Sequence, residues 1–246
     1  MKSKLRMQTL VLGCLLFAFA GCSSAPPAGG GDAGGAPGAG GGTGAGGGGG
    51  AAARAGVISP DDKPLDVLTK AIRAQLDAKS YRARMEMSAS PGGASKMLVE
   101  YASPDRYHVV RDATAGEPNS RLEYIIIGKE THVKAGDGPW TKFPADMGSM
   151  INSLRDPKIV EELTKGADMK FVGPDTLDGE PMLVYQYTLD NVGGLAVKSV
   201  TKTWVSIADG LPRKSESDGE FQGNKTKTVA RMSDYNADIK IELPAK

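Results

Sequence analysis

The chain has 246 residues and a formal charge of +1, and 15 of its 33 glycines fall between Ala25 and Gly50. Setting aside that stretch and the apolar leader before it leaves residues 57–246, enough for one core and too little for a large multidomain enzyme. No basic tract is present, which argues against nucleic acid as a partner. The two cysteines, Cys14 and Cys22, both lie near the N-terminus, so the domain can build neither a disulfide framework nor a cysteine-based metal site.

Residues 1–21 begin with Lys2, Lys4 and Arg6 and continue as an apolar run from Leu10 to Ala20. A bilayer-spanning helix needs about 20 apolar residues, so this shorter run fits the core of a secretory signal instead. Phe19-Ala20-Gly21-Cys22 resembles the bacterial lipobox, with Phe19 where Leu is usual; in that motif the cysteine is diacylated and becomes the new N-terminus. The alternative is an ordinary signal peptide that happens to contain a cysteine, but a polar Gly-rich segment follows Cys22 at once, as a tether would. The expected division is a lipoprotein signal over 1–21, a lipidated Cys22 with a disordered Gly/Ala-rich linker over 22–56, and a folded domain over 57–246. A Gly-rich coil of the linker's length has a reach of roughly 30 Å. In bacteria with two membranes, Ser23 stands where Asp would signal inner-membrane retention, so the resemblance favours the outer membrane there.

In the folded part, Ser59-Pro60-Asp61-Asp62 predicts a helix N-cap with proline at the first helical position. Leu65, Leu68, Ile72 and Leu76 then recur at helical spacing, predicting one amphipathic helix that ends near Lys79. Tyr81 to Ala89 alternates strictly, with Ala83, Met85 and Met87 on one face and Arg82, Arg84 and Glu86 on the other, a strand with one wet face. Ser90-Pro91-Gly92-Gly93 turns the chain into a second strand, Lys96 to Tyr101, carrying Met97 and Val99 on one side. Further strands are predicted over Arg106–Val110, Arg121–Ile127, Thr131–Lys134 and Trp140–Phe143, a meander of hairpins. Between Ala145 and Gly166 the period becomes helical: Met147, Met150, Ile151 and Leu154 form one stripe, and Ile159, Val160 and Leu163 another beyond Pro157. Strands resume over Lys170–Val172, Met182–Leu189, Val197–Ile207, Arg213–Asp218 and Thr226–Leu243, with Asp178-Gly179 and Asp209-Gly210 as turns. This order predicts an α+β fold: an antiparallel sheet whose dry face is covered by a few short helices. A large twisted sheet curls, and an incompletely plugged curl leaves an apolar cavity.

Four stretches, in this order, resemble the LolA/LppX-type superfamily of bacterial lipid- and lipoprotein-carrying periplasmic lipoproteins. They are SYRARMEMSAS, VEELTKGADMKFVGPDTLDGEPMLVYQYTLD, KTWVSIADGLPRKSES and the closing MSDYNADIKIELPA. The resemblance implies a curved, unclosed antiparallel β-barrel, a half-barrel with helices as a lid over an apolar cavity for acyl chains. It also implies a final strand ending in an apolar-Pro motif, and carriage of lipid or lipoprotein without bond-making chemistry. Cys22 sets this chain apart from the soluble carriers and makes it look like the anchored members.

Eight of the ten methionines fall in the folded part. Methionine is flexible and polarizable and suits surfaces that accept variable apolar ligands, although it also fills gaps in ordinary cores. The candidate cavity lining is Met85, Met87, Met97 and Val99 on strands, with Met147, Met150, Ile151, Leu154 and Leu163 on the lid. Trp140, after the Gly136-Asp137-Gly138-Pro139 turn, is a candidate for the cavity mouth, and Trp204 reads as structural. His108 and His132 lack any partner at metal-ligand spacing and read as sheet-face residues. No GxSxG elbow, P-loop or strand-linked GxGxxG occurs, and Asp105, Glu123 and Glu130 suggest no acid–base pair. Arg82 and Arg84 read as a solvated face, with a lipid phosphate the rarer alternative. The expectation is a monomeric, membrane-anchored protein of the cell envelope that holds acyl chains and needs no metal or cofactor. The competing expectation is a sensor or scaffold of the same fold, its core filled, that binds a protein.

Overall fold

The computed structural model describes residues 57–90, 93–113, 121–153, 155–158, 161, 164, 167–192, 195–221 and 224–244. The leader, Cys22 and the Gly-rich linker lie outside the described residues, as do Leu154, Ile159, Val160 and Leu163.

Helix α1 spans Pro64–Asp77 and leads into eleven described strands. These are β1 (Ser80–Ser90), β2 (Ala94–Ala102), β3 (Arg106–Ala113), β4 (Arg121–Ile127), β5 (Glu130–Ala135) and β6 (Thr141–Phe143), then, after the short helix α2 (Met147–Ser153), β7 (Asp168–Leu177), β8 (Glu180–Val192), β9 (Leu195–Ser206), β10 (Pro212–Phe221) and β11 (Asn224–Ser233). Their spatial order is β6-β5-β4-β3-β2-β1-β11-β10-β9-β8-β7, one antiparallel sheet. Two meanders are thus joined at the middle by β1 and β11, whose register runs from Arg82 opposite Ser233 to Ser90 opposite Lys225. Strands β6 and β7 are the two edges and do not pair with each other, so the sheet is a half-barrel, as expected.

Alternation puts one face of every strand inside. In β1, Ala83, Met85 and Met87 are buried while Arg84, Glu86 and Ser88 are exposed. In β11, Ala230 and Met232 are buried and Lys225, Lys227 and Arg231 are not. Two apolar clusters form on the inner face. The first gathers Val67, Leu68 and Ala71 of α1 against Leu183, Tyr185, Tyr187 and Leu189 of β8 and Val205 of β9. The second gathers the inner residues of β1 to β4 and β11 against Met147 and Ile151 of α2.

Three local expectations are corrected. The helix starts at Pro64, not Pro60. Ser59 N–H donates to Asp62 Oδ2 at 2.9 Å and Asp61 N–H to Ser59 Oγ at 3.3 Å, which closes a separate turn. Lys63, held extended (ψ 130°) as residues before proline usually are, then caps the real helix. The buried stripe of α1 is Val67, Leu68, Ala71, Ile72 and Gln75, so Leu65 faces solvent at 45% exposure. The last strand ends at Ser233 and does not run on to Leu243. Asp234 and Asn236 adopt left-handed backbone (φ 56° and 60°), and the tail folds back over the starts of β1 and β3. Lys79 N–H donates to Asn236 Oδ1 at 2.8 Å, Arg106 Nη1 donates to the Ile241 carbonyl at 2.7 Å, and Ile239 and Ile241 are buried.

The outer face is organised by charge. Arg82 Nε donates to Glu100 Oε1 at 2.6 Å, and its Nη1 lies 3.2 Å from Asp234, so Arg82 is engaged within the sheet. His108 stands between two carboxylates, with Nδ1 2.8 Å from Glu100 and Nε2 2.8 Å from Glu123. Burial would raise the Glu100 carboxyl, but hydrogen bonds from His108 and Arg82 outweigh it and hold it below its ordinary 4.5. A depressed carboxyl stabilises the fold above the unfolded value, and that contribution is lost as pH falls through the folded one. Glu100→Gln is therefore expected to cost about 1–2 kcal/mol at pH 7, in the range of hydrogen bonds to charged groups. Denaturant melts between pH 7 and pH 3 should show the gap between wild type and variant closing as pH falls below 4.5; a constant gap would contradict the assignment.

Candidate functional site

The sheet brings most of the candidate lining together. Met85 pairs with Met97 and Ala83 with Val99 across β1 and β2, and Met87 lies one step further along the same inner face. Helix α2 sets Met147 and Ile151 onto this surface, with Met150 partly buried beside them. The six residues Met85, Met87, Met97, Val99, Met147 and Ile151 are between 1% and 5% exposed. They are closed off from solvent. Trp140 is half-buried, just before the edge strand β6. Trp204 is structural, as expected: it faces outward with Met182 and Val184, and its Nε1 donates to Asp175 Oδ2 at 2.7 Å.

Helix α2 is placed by two sharp local devices. Asp146 caps it, accepting from Ser149 N–H and Ser149 Oγ at 2.8 Å each, and the backbone bond foremost lowers its carboxyl. Gly148 then rests directly on the β4–β5 turn. A Cβ at this position would stand 1.6 Å from the Gly128 carbonyl oxygen, so only glycine permits the contact.

A tyrosine row closes the same end of the half-barrel. Tyr81 and Tyr101 have ring centroids 5.3 Å apart, Tyr101 and Tyr107 5.1 Å, and Tyr235 adds a fourth ring 5.9 Å from Tyr81. Burial pushes the hydroxyls of Tyr81, Tyr107 and Tyr235 up, so they stay neutral and serve as hydrogen-bond partners. The end of α2 and the chain after it are fastened here. Tyr107 donates to Asn152 Oδ1 at 2.8 Å, and the Arg155 guanidinium stacks on Tyr101 with Cζ 3.8 Å from the ring centroid. Arg155 Nη2 also donates to the Leu76 carbonyl at the end of α1. One side chain thereby joins both helices to the sheet.

Of the residues read from sequence, Met85, Met87, Met97, Val99, Met147, Met150 and Ile151 belong to the second cluster, Trp140 belongs to neither, and Leu154 and Leu163 lie outside the described residues; the half of the interior beneath α1 was missed. Its signal was the alternation Leu183, Tyr185, Tyr187, Leu189 in β8, with Phe171 of β7 stacked 5.4 Å from Tyr185. Also missed were the buried hydroxyls of β9, β10 and β11, which lie between the two clusters. Among the described residues, no group of three or more His, Cys, Asp or Glu could hold a metal ion. No helix among them is long and apolar enough to cross a membrane.

Comparison with solved structures follows this geometry. The lipoprotein LppX of Mycobacterium tuberculosis superposes with a TM-score of 0.53 at 13% identity, over 72% of this chain and 97% of that one. This chain shares the fold of LppX. A LolA superfamily protein from Nitrosomonas europaea aligns at 12% identity over 74% of this chain and 94% of its own, with a TM-score of 0.26. The MucA/MucB complex of Pseudomonas aeruginosa aligns at 16% identity over 71% and 59%, with a TM-score of 0.41. No protein-family model and no curated protein matches the chain.

Gly148→Ala is expected to lift α2 off the β4–β5 turn and cost about 2–3 kcal/mol, as overpacking typically does. The check is the thermal midpoint together with protease cleavage between residues 143 and 168. An unchanged midpoint and cleavage rate would show that α2 does not rest on Gly128 as described.

Proposed function

We propose that the chain is an envelope lipoprotein, anchored through acylated Cys22 and the 22–56 linker, whose half-barrel binds acyl chains for carriage or transfer between membranes. The observation that carries this reading is the inner face itself. A sheet with two unpaired edges turns two apolar clusters inward, and the described covers are α1 over one and the seven-residue α2 over the other. Each chain methylene moved from water into such a surface contributes about 0.8 kcal/mol. The lining side chains are closed to solvent, so binding requires α2 and the chain around Asn152 and Arg155 to swing away from the tyrosine row, letting hydrocarbon take their place. Met85, Met87, Met97, Val99, Met147, Met150 and Ile151 would line the opened cavity, joined by Leu154 and Leu163, with Trp140 at its mouth. Two acyl chains on Cys22 would make the anchor durable where one would hold only marginally. In this reading the chain acts as a monomer, and no residue makes or breaks a bond.

The same closure favours a second reading, a protein-binding sensor or scaffold with a filled core. It would use the unpaired edge of β7, where Val172 is 50% exposed. Solvent extraction of the full chain purified from native membranes, followed by mass spectrometry, separates the two. Lipid in near-stoichiometric amount is expected, and its reproducible absence would favour the scaffold. Met150→Asp puts a carboxylate among Met147 and Ile151 at a position already partly open to water. It should cut retained lipid about tenfold, since charge inside an apolar surface is costly, while the domain stays folded. Retention equal to wild type would remove Met150 from the site.

A further inference from the structure

The middle of the inner face is neither apolar nor charged. Thr201, Ser217 and Thr228 stand in one row across β9, β10 and β11, continued by Tyr187 on one side and Met87 on the other. Thr203 and Ser215 form the row beside it, and Ser199 lies beyond, next to Leu189. All six of these hydroxyl residues on β9 to β11 are at most 4% exposed. Lys202, Lys214, Glu216, Asp218 and Lys227 of these strands fall on the outward positions. The row is satisfied internally at Thr201, whose Oγ1 donates to Ser217 Oγ at 3.0 Å and which also hydrogen-bonds Tyr187. Ser199 Oγ, in a residue 1% exposed, has no hydrogen-bond partner among the described residues. A core built only to be filled would place Val or Leu here, because a buried hydroxyl without a partner is costly.

We infer that this hydroxyl belt is an internal seat for the uncharged polar linkage of a diacyl lipid. The hydroxyls donate to ester carbonyls, and one hydrocarbon chain runs into each of the flanking apolar clusters. This rests on the carrier reading above and adds to it the chemistry of the cargo. The hydroxyl rows themselves contain no charged residue, which suits a neutral carbonyl better than a phosphate. Its position fits the shape of such a ligand, because the β8 side chains of the first cluster lie on one side and those of β1 and β2 on the other.

The test uses the full chain and two probes. One is dioleoylglycerol; the other is its ether analogue, in which methylenes replace the two ester carbonyls. Wild type is expected to retain the ester about tenfold more tightly, the worth of one or two net hydrogen bonds. Thr201→Val with Ser217→Ala, and separately Ser199→Ala, should bring the ester down to the ether's level and leave the ether unchanged. The thermal midpoint of the ligand-free variants should hold or rise. Equal retention of ester and ether by wild type, or variants that keep the preference, overturns the seat and leaves the carrier reading standing. A lowered midpoint in the ligand-free variants assigns the hydroxyls to the fold and also overturns the seat. Retention of neither probe overturns both readings.

Discussion

The pairing of β1 with β11 is the constraint on which this architecture depends. Each meander alone is a run of local hairpins with an open edge on either side. Nine registered pairs between residues far apart in the chain, from Arg82 with Ser233 to Ser90 with Lys225, turn two such meanders into one inner face. Met85 is the hinge of that arrangement, with Met97 on its left and Ala230 on its right. The register also decides what each half contributes. A slip of one residue would turn Met85 and Met87 outward and bring Arg84 and Glu86 into the interior. The tail after Ser233 guards this register by hydrogen-bonding across the start of β1, where Asn236 Oδ1 accepts from Lys79 and the Ala237 carbonyl accepts from Ser80 Oγ at 2.5 Å.

The second consequence is topological. Because β1 and β11 meet in the middle, the consecutive strands β6 and β7 are left at opposite edges. The chain between Phe143 and Asp168 must travel from one edge to the other, and α2 sits on that crossing. A cover over the open side is therefore a by-product of the connectivity and needs no separate domain. Among the described residues it is attached by the Gly148–Gly128 contact, the Met147, Met150 and Ile151 side chains, one tyrosine hydrogen bond, and the Arg155 stack and hydrogen bond to Leu76. A cover held at a few defined points can leave without unravelling the sheet, whose strands are secured by their own ladders.

Much of this was legible because period-two alternation is written directly in the chain. Tyr81 to Ala89 carries residues of opposite character on its two faces, and every strand core predicted from sequence lies on an observed strand. What failed to show had a physical reason in each case. Ser59-Pro60 and Lys63-Pro64 both offer start signals, and only the ψ of Lys63 separates a free turn from a helix. The last strand was overextended because Ile239 and Ile241 continue an alternating pattern after Asp234 and Asn236 have already broken the ladder by turning left-handed. The Glu100–His108–Glu123 cluster joins three strands, and cross-strand partners are invisible until register is known. The belt was hidden for a different reason: Lys214-Ser215-Glu216-Ser217-Asp218 alternates charge with hydroxyl, and a hydropathy reading sees only polarity.

That last case bears on how the interior should be understood. The candidate lining chosen from methionines describes one lobe of a divided interior. The other lobe belongs to α1, whose buried residues Val67, Leu68 and Ala71 meet aromatic and aliphatic residues of β8. The two lobes are covered by different helices, yet Arg155 holds both covers at once, through the Leu76 carbonyl at the end of α1 and the Tyr101 ring on the sheet. Releasing Arg155 from Tyr101 also removes its tie to α1, because a guanidinium that leaves the ring carries its donors with it. In the proposed reading the two covers share this tie, so opening one lobe would loosen the other. A cargo with two chains joined by a short polar centre is the kind of ligand that would exploit such coupling, since it asks both lobes to open in the same event.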